Sequence, residues 1–197
     1  MAEDAKLEKE ILAELKKDFP LMKESLKEVN LSHFSSFREG GNFKITYAWR
    51  LANCSQQVSF VKYRNAGKSI KADPNRYAGI CIHLAHPLPE FKITANTEND
   101  KFLNLYLPNS VKVKTVPAFN HKYILESTDP GTIEQIIGID FFNKIMTVQD
   151  LNVEVKDNKC LIYGVHPFNY DSCKVMFQLA EDIVKMDHSS QVTAITN

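Results

Sequence analysis

Residues 119–184 read FNHKYILESTDPGTIEQIIGIDFFNKIMTVQDLNVEVKDNKCLIYGVHPFNYDSCKVMFQLAEDIV, the most orderly part of the chain and the part that sets its class. His121 to Leu125 is strand-like, and Asp129-Pro130 supplies the N-cap and N1 pair that opens a helix. Ile133, Ile136, Ile137, Phe141 and Ile145 then recur at helical spacing, predicting one helix that ends near Thr147. Asn152–Lys156 and Cys160–Val165 read as a hairpin about Asp157-Asn158, two residues that tolerate turn geometry. Asp171 is placed to cap a closing helix whose buried stripe holds Val175, Met176, Leu179 and Ile183.

The upstream half supplies more sheet. Phe43, Ile45, Tyr47, Trp49 and Leu51 alternate with Lys44, Thr46, Ala48 and Arg50, as a half-buried strand requires. A loop over residues 52–56 leads to an antiparallel partner at Val58–Tyr63, and a third strand runs from Tyr77 to about Ala85. Pro87 and Pro89 end it, and Phe91–Thr94 is a further short extended piece. Residues 95–118 predict a short helix or strand and then an extended segment with Val111 and Val113. At the N-terminus, Leu7, Ile11 and Leu15 form an amphipathic helix that Pro20 interrupts, and Leu21 to Val29 reads as a second short helix. The predicted fold is therefore α+β, a mainly antiparallel sheet packed against helices with an N-terminal helical pair. It divides into residues 1–30, a helical segment packed on the domain; 31–186, a single α+β domain; and 187–197, a loose polar tail.

Composition narrows the class without naming a function. Twenty-four basic and 24 acidic residues cancel, which argues against a general nucleic-acid binder, although a local basic patch is compatible with a neutral total. Met1 to Glu10 has no apolar run of the kind a secretory signal needs, and no stretch has the roughly 20 apolar residues of a membrane helix. Cys54, Cys81, Cys160 and Cys173 match neither zinc spacing nor a Cys-x-x-Cys pair, so reduced thiols and a cytoplasmic location are expected.

Three groups of residues are candidates for a site. Cys81, His83 and His86 are the one cluster of soft metal ligands. On a strand Cys81 and His83 share a face that His86 does not, and on a helix His83 and His86 align without Cys81, so neither metal nor cofactor is expected. Lys62, Arg64, Lys68, Lys71 and Arg76 face only Asp73 in a basic connector able to receive an anion, a phosphorylated partner or an acidic protein surface. Gly67-Lys68-Ser69 there is not a phosphate loop, because the glycine required five positions earlier is Lys62. The simpler account of the connector is a solvated hairpin loop kept soluble by its lysines. Tyr47, Trp49, Phe60 and Tyr63 would line a ligand pocket if they converged, and are otherwise core or cross-strand pairs. Glu126, Asp129, Glu134 and Asp140 read as a strand end, a helix cap and exposed helix positions. No nucleophile elbow, dinucleotide loop, zinc helix or calcium loop is present.

An aromatic-rich hairpin, the turn Leu88-Pro89-Glu90-Phe91, the Phe119–Leu125 strand with its helix, and the hairpin and helix from Val153 to Val184 follow one another in a set order. That order, spanning roughly residues 37–185, resembles a loosely defined set of uncharacterised bacterial proteins. Ser59 to Tyr63 departs from their acidic, aromatic-rich second strand. The resemblance implies an α+β arrangement and transfers no site. The expectation is thus a soluble, non-enzymatic interaction or regulatory module with a protein partner, no membrane and no nucleic acid. The alternative is a small-molecule-binding or enzymatic domain with an aromatic-lined pocket.

Overall fold

The period-two segments of the sequence do form strands, and they assemble into one antiparallel sheet. The computed structural model describes residues 2–35, 37, 43–65, 77–96, 109–164 and 169–194. In chain order these hold α1 (Ala2–Asp18), β1 (Leu21–Lys23), β2 (Phe43–Leu51), β3 (Val58–Asn65), β4 (Tyr77–His83), β5 (Phe91–Ala95), β6 (Ser110–Val111), α2 (Phe119–Lys122), β7 (Tyr123–Ser127), α3 (Ile133–Ile137), α4 (Ile139–Ile145), β8 (Leu151–Lys156), β9 (Lys159–Gly164) and α5 (Tyr170–Ala194). The strand order is β1-β2-β3-β4-β9-β8-β5-β7-β6. A meander, β1 to β4, is thereby joined to the C-terminal strands through β4 and β9, which pair from Gly79↔Tyr163 to His83↔Lys159. No described helix is long and apolar enough to cross a membrane.

One face of the sheet carries the helices. Phe60, Ile80, Ile82, Ile93, Val153 and Ile162 point from the strands into a core completed by Ile11 and Leu15 of α1 and by Met176, Phe177, Ala180 and Ile183 of α5. Phe177 stacks on Phe60 at 5.6 Å and on Phe19 at 4.1 Å, so the last helix sits between the sheet and the end of the first. Each such side chain contributes roughly 1.5–3 kcal/mol on burial. The opposite face holds a smaller cluster: Ala48, Val61, Tyr63, Cys81, Leu161 and Tyr163 lie under Val29, Leu31 and Phe34 of the segment after β1. Ser35 fastens that segment, donating its backbone N–H and hydroxyl to the buried Glu154 carboxylate at 2.7 and 3.1 Å, while Lys92 donates to its Oγ at 3.1 Å.

Several expectations change. Leu21–Val29 is not a second helix: after Pro20 the chain pairs Leu21–Lys23 with the edge of β2 and closes in a 3-10 turn at Leu26–Glu28. Nine residues are too few to hold an isolated helix, whereas the β2 edge offers hydrogen bonds at once. The β2 alternation does not serve one face, because a bulge between Ile45 and Tyr47 sends Phe43 and Ile45 to the smaller cluster and Trp49 and Leu51 to the helix side. His121 belongs to the helical turn α2, and the strand begins at Tyr123. The closing helix is capped by Asn169, whose Oδ1 accepts the Ser172 N–H at 2.9 Å, with Asp171 in the first turn. That helix also continues to Ala194 through the stretch expected to be a loose tail.

The single helix expected from Asp129-Pro130 to Thr147 is divided. Asp129 holds a turn, accepting from the Thr132 hydroxyl at 2.7 Å, and α3 and α4 meet at Gly138 with φ 74° and ψ 161°. That region is essentially glycine-only. A Cβ at Gly138 would meet nothing within 4 Å, so Gly138→Ala tests backbone strain alone. It should destabilise the fold by about 1–2 kcal/mol in urea denaturation with an unchanged m-value.

Candidate functional site

The residues singled out in the sequence are distributed over the molecule. Cys81 lies in the smaller core and His83 at the end of β4 on the same face, while His86 is beyond the strand in the following loop. Among the described residues, no three of His, Cys, Asp and Glu are gathered as a metal would need. Burial pushes the Cys81 thiol up to about 12, opposed by Lys159 and helped by Glu24, which is the reverse of what activates a nucleophile. Burial likewise raises Cys160 and Cys173.

What the sequence did not reveal is the acidic residue beside Cys81 and His83. Glu24, just after β1, is buried; its Oε1 accepts from Gln57 Nε2 at 2.8 Å and its Oε2 has no hydrogen-bond partner. Its charge acts on both Cys81 and His83. Nothing in the local pattern distinguishes Glu24 from its solvated neighbours Ser25 and Glu28, since only tertiary packing buries it. His83 is held below its ordinary value of 6.5, by burial first and by Lys159 second, against the pull of Glu24. An unfolded chain therefore takes up this proton more readily than the folded one. His83 contributes stability in full above about pH 6.5, and the contribution is lost as pH falls through the depressed value. Urea midpoints measured from about pH 7.5 down to about pH 5 should fall less steeply in His83→Gln than in the wild type. Equal slopes would remove His83 as the source.

A second buried carboxylate closes the β4 end from the helix side. Asp187 is wholly buried, accepting from the backbone N–H of Ala85 at 2.7 Å and of His86 at 2.8 Å and from Gln56 Nε2. It ties the loops after β2 and β4 to the last turns of α5. Its spacing gave a usable signal, since Leu179, Ile183 and Asp187 recur four apart and continue the apolar stripe into an acid. Asp187→Ala strands two backbone donors and should destabilise by about 2–4 kcal/mol, read as a lowered urea midpoint.

The basic connector is only partly described: Lys68, Lys71 and Arg76 lie outside the described residues. Lys62 is not a surface cation of that loop. It is buried on the helix side, paired with Glu8 of α1, and its Nζ stands 5.7 Å from the Tyr47 ring centroid. Arg64 is half-buried and lies directly opposite Lys44 in the β2–β3 ladder.

The four aromatics do not converge on one pocket. Trp49 and Phe60 face the helices at 5.7 Å from one another, with Tyr47 stacked on Trp49 at the rim. Tyr63 faces the other way, against Phe37, Phe43 and Tyr77, and its hydroxyl donates to the Gly164 carbonyl at 3.0 Å. Strand alternation and the β2 bulge separate them. Glu134, read as an exposed helix position, instead holds the preceding loop: its Oε1 accepts from the Lys114 and Thr115 N–H groups at 2.7 Å, which lowers its pKa.

Comparison with protein-family models, with curated proteins and with solved structures finds no match to this chain.

Proposed function

We propose that this protein is a non-enzymatic interaction or regulatory module that docks a protein partner along the β1–β2 edge of its sheet. The observation that carries this reading is the placement of exposed apolar side chains. Met22, Leu26 and Tyr47 are each about half exposed and sit on β1, the 3-10 turn and β2. Tyr47 turns with Trp49 to the helix side and Met22, opposite Arg50, to the other face, so the edge carries exposed apolar groups on both faces, and Leu7 of α1 is also half exposed. Leu7 adjoins Glu8, whose ion pair with Lys62 brings α1 beside Tyr47. The remaining exposed large hydrophobic residue among those described, Ile139, is on α4. Apolar groups gathered at one place on a surface mark an interaction site more often than scattered ones do.

The use of the ionisable groups supports the same reading. Glu8 and Lys62 join α1 to the sheet, Glu154 fastens the segment after β1, and Asp187 fastens the loops after β2 and β4. The four cysteines are unpaired thiols, which fits a reducing, cytoplasmic setting.

Replacing single positions by a photo-crosslinking amino acid in cells of the source organism tests the docking edge. Adducts identified by mass spectrometry should form from positions 22 and 47 and not from 139. Adducts confined to position 139, or none at the edge, would reject the reading.

A further inference from the structure

We infer that the segment from Glu24 to Ser35 is a strap that opens as a unit, uncovering the smaller core while the helix-side core stays closed. Opening needs no partner, so it stands apart from docking at the β1–β2 edge. Carboxylates hold both ends of the segment. Glu24 accepts from Gln57 Nε2 at 2.8 Å, and Ser35 donates its N–H and hydroxyl to Glu154 at 2.7 and 3.1 Å. Between those ends Val29, Leu31 and Phe34 are buried against Ala48, Val61, Cys81 and Leu161, while Ser25 to Glu28 are exposed. The backbone hydrogen bonds described from Ser25 to Phe34 are local turns, Glu28 N–H to the Ser25 carbonyl and Phe34 N–H to the Leu31 carbonyl. Such a segment leaves without breaking a strand ladder.

Electrostatics favour the open form, and apolar burial favours the closed one. In the closed form Glu24 Oε2 is buried with no hydrogen-bond partner, a desolvation penalty that water entering beneath the strap removes. Glu154 also regains water, and it keeps a countercharge, because Lys92 is its register partner on β5 and stays with the sheet. Neither carboxylate is stranded when the strap lifts. Val29, Leu31, Phe34 and the Ser35 contacts pull the other way. Because the two cores lie on opposite faces of the sheet, Ile80, Ile82 and Ile162 keep their packing on the helix side while Cys81 and Leu161 are uncovered. The strap is thus a gate: closed, it hides an apolar sheet face and the Cys81 thiol, and open, it presents both.

The cysteines report the motion. Cys81 lies under the strap, whereas Cys160 and Cys173 lie in the helix-side core, so local opening exposes one thiol and global unfolding exposes all three. The full chain carrying Cys54→Ser, which removes the half-buried fourth thiol, is treated with iodoacetamide in native buffer, and each cysteine is followed by peptide mass spectrometry. Cys81 should alkylate at least about tenfold faster than Cys160 and Cys173. Ser35→Ala removes the hydroxyl contacts and should raise the Cys81 rate roughly threefold to tenfold with Cys160 and Cys173 unchanged. Ser35→Thr keeps a hydroxyl and should restore most of the original rate. Glu24→Gln keeps an acceptor for Gln57, removes the buried charge and should slow Cys81. A Cys81 that alkylates no faster than the other two overturns the proposal, since the whole fold would then open at once. So does a Ser35→Ala rate that rises equally at all three thiols. Labelling of Glu24→Gln at or above the original rate also overturns it, because the unpaired oxygen would not be what opens the strap.

Discussion

The pairing of β4 with β9 is the constraint on which the rest of the sheet depends. Strands β1 to β4 are neighbours in sequence as well as in space, but β4 next pairs with a strand that begins more than seventy residues later. Without that seam the meander and the C-terminal strands would be two narrow sheets, each with a long exposed edge. The seam is tight. A Cβ at Gly79 would stand 3.0 Å from the Ile162 carbonyl oxygen and 3.3 Å from Tyr163 Cβ, so the absence of a side chain lets the two strands close. Both cores then form across the seam, with Ile80, Ile82 and Ile162 on the helix side and Cys81, Leu161 and Tyr163 on the other.

Buried polar groups play a consistent part around this frame. The irregular pieces of chain are held by individual carboxylates set into packed surroundings: Glu154 for the segment ending at Ser35, Asp187 for the loops after β2 and β4, and Glu24 beside Gln57. A buried carboxylate adds little stability over an apolar residue, but it accepts from named donors and so specifies which loop lies where. Glu24 differs in leaving one oxygen unsatisfied, so its environment is the least well matched of the three.

Elements governed by local pattern were legible in the sequence. The β8–β9 hairpin turns at Asp157, which adopts φ 53°, and the Phe91 and Val58 strands begin where their apolar runs begin. Elements decided by competition were not. Leu21 to Val29 carries a helical spacing that a neighbouring strand edge overrides, and Gly138 divides a run of isoleucines whose period continues across the break. The β2 alternation is correct residue by residue, yet one extra residue at the bulge changes which face each side chain meets. The site was less legible than the fold. Lys62 looks like a loop cation until Glu8, 54 positions away in sequence, is brought against it. The Lys44–Arg64 opposition appears only once the register is known.

The stacked rings of Phe19, Phe177 and Phe60 also set an order of assembly. Chains are synthesised from the N-terminus, and α1 precedes every strand of the sheet, yet Phe19, just after it, rests on α5. Ile11, Leu15 and Phe19 must therefore remain without their final partners until α5 has been made. α1 is made well before the helix it packs on, and its apolar stripe is what a chaperone would meet during that interval.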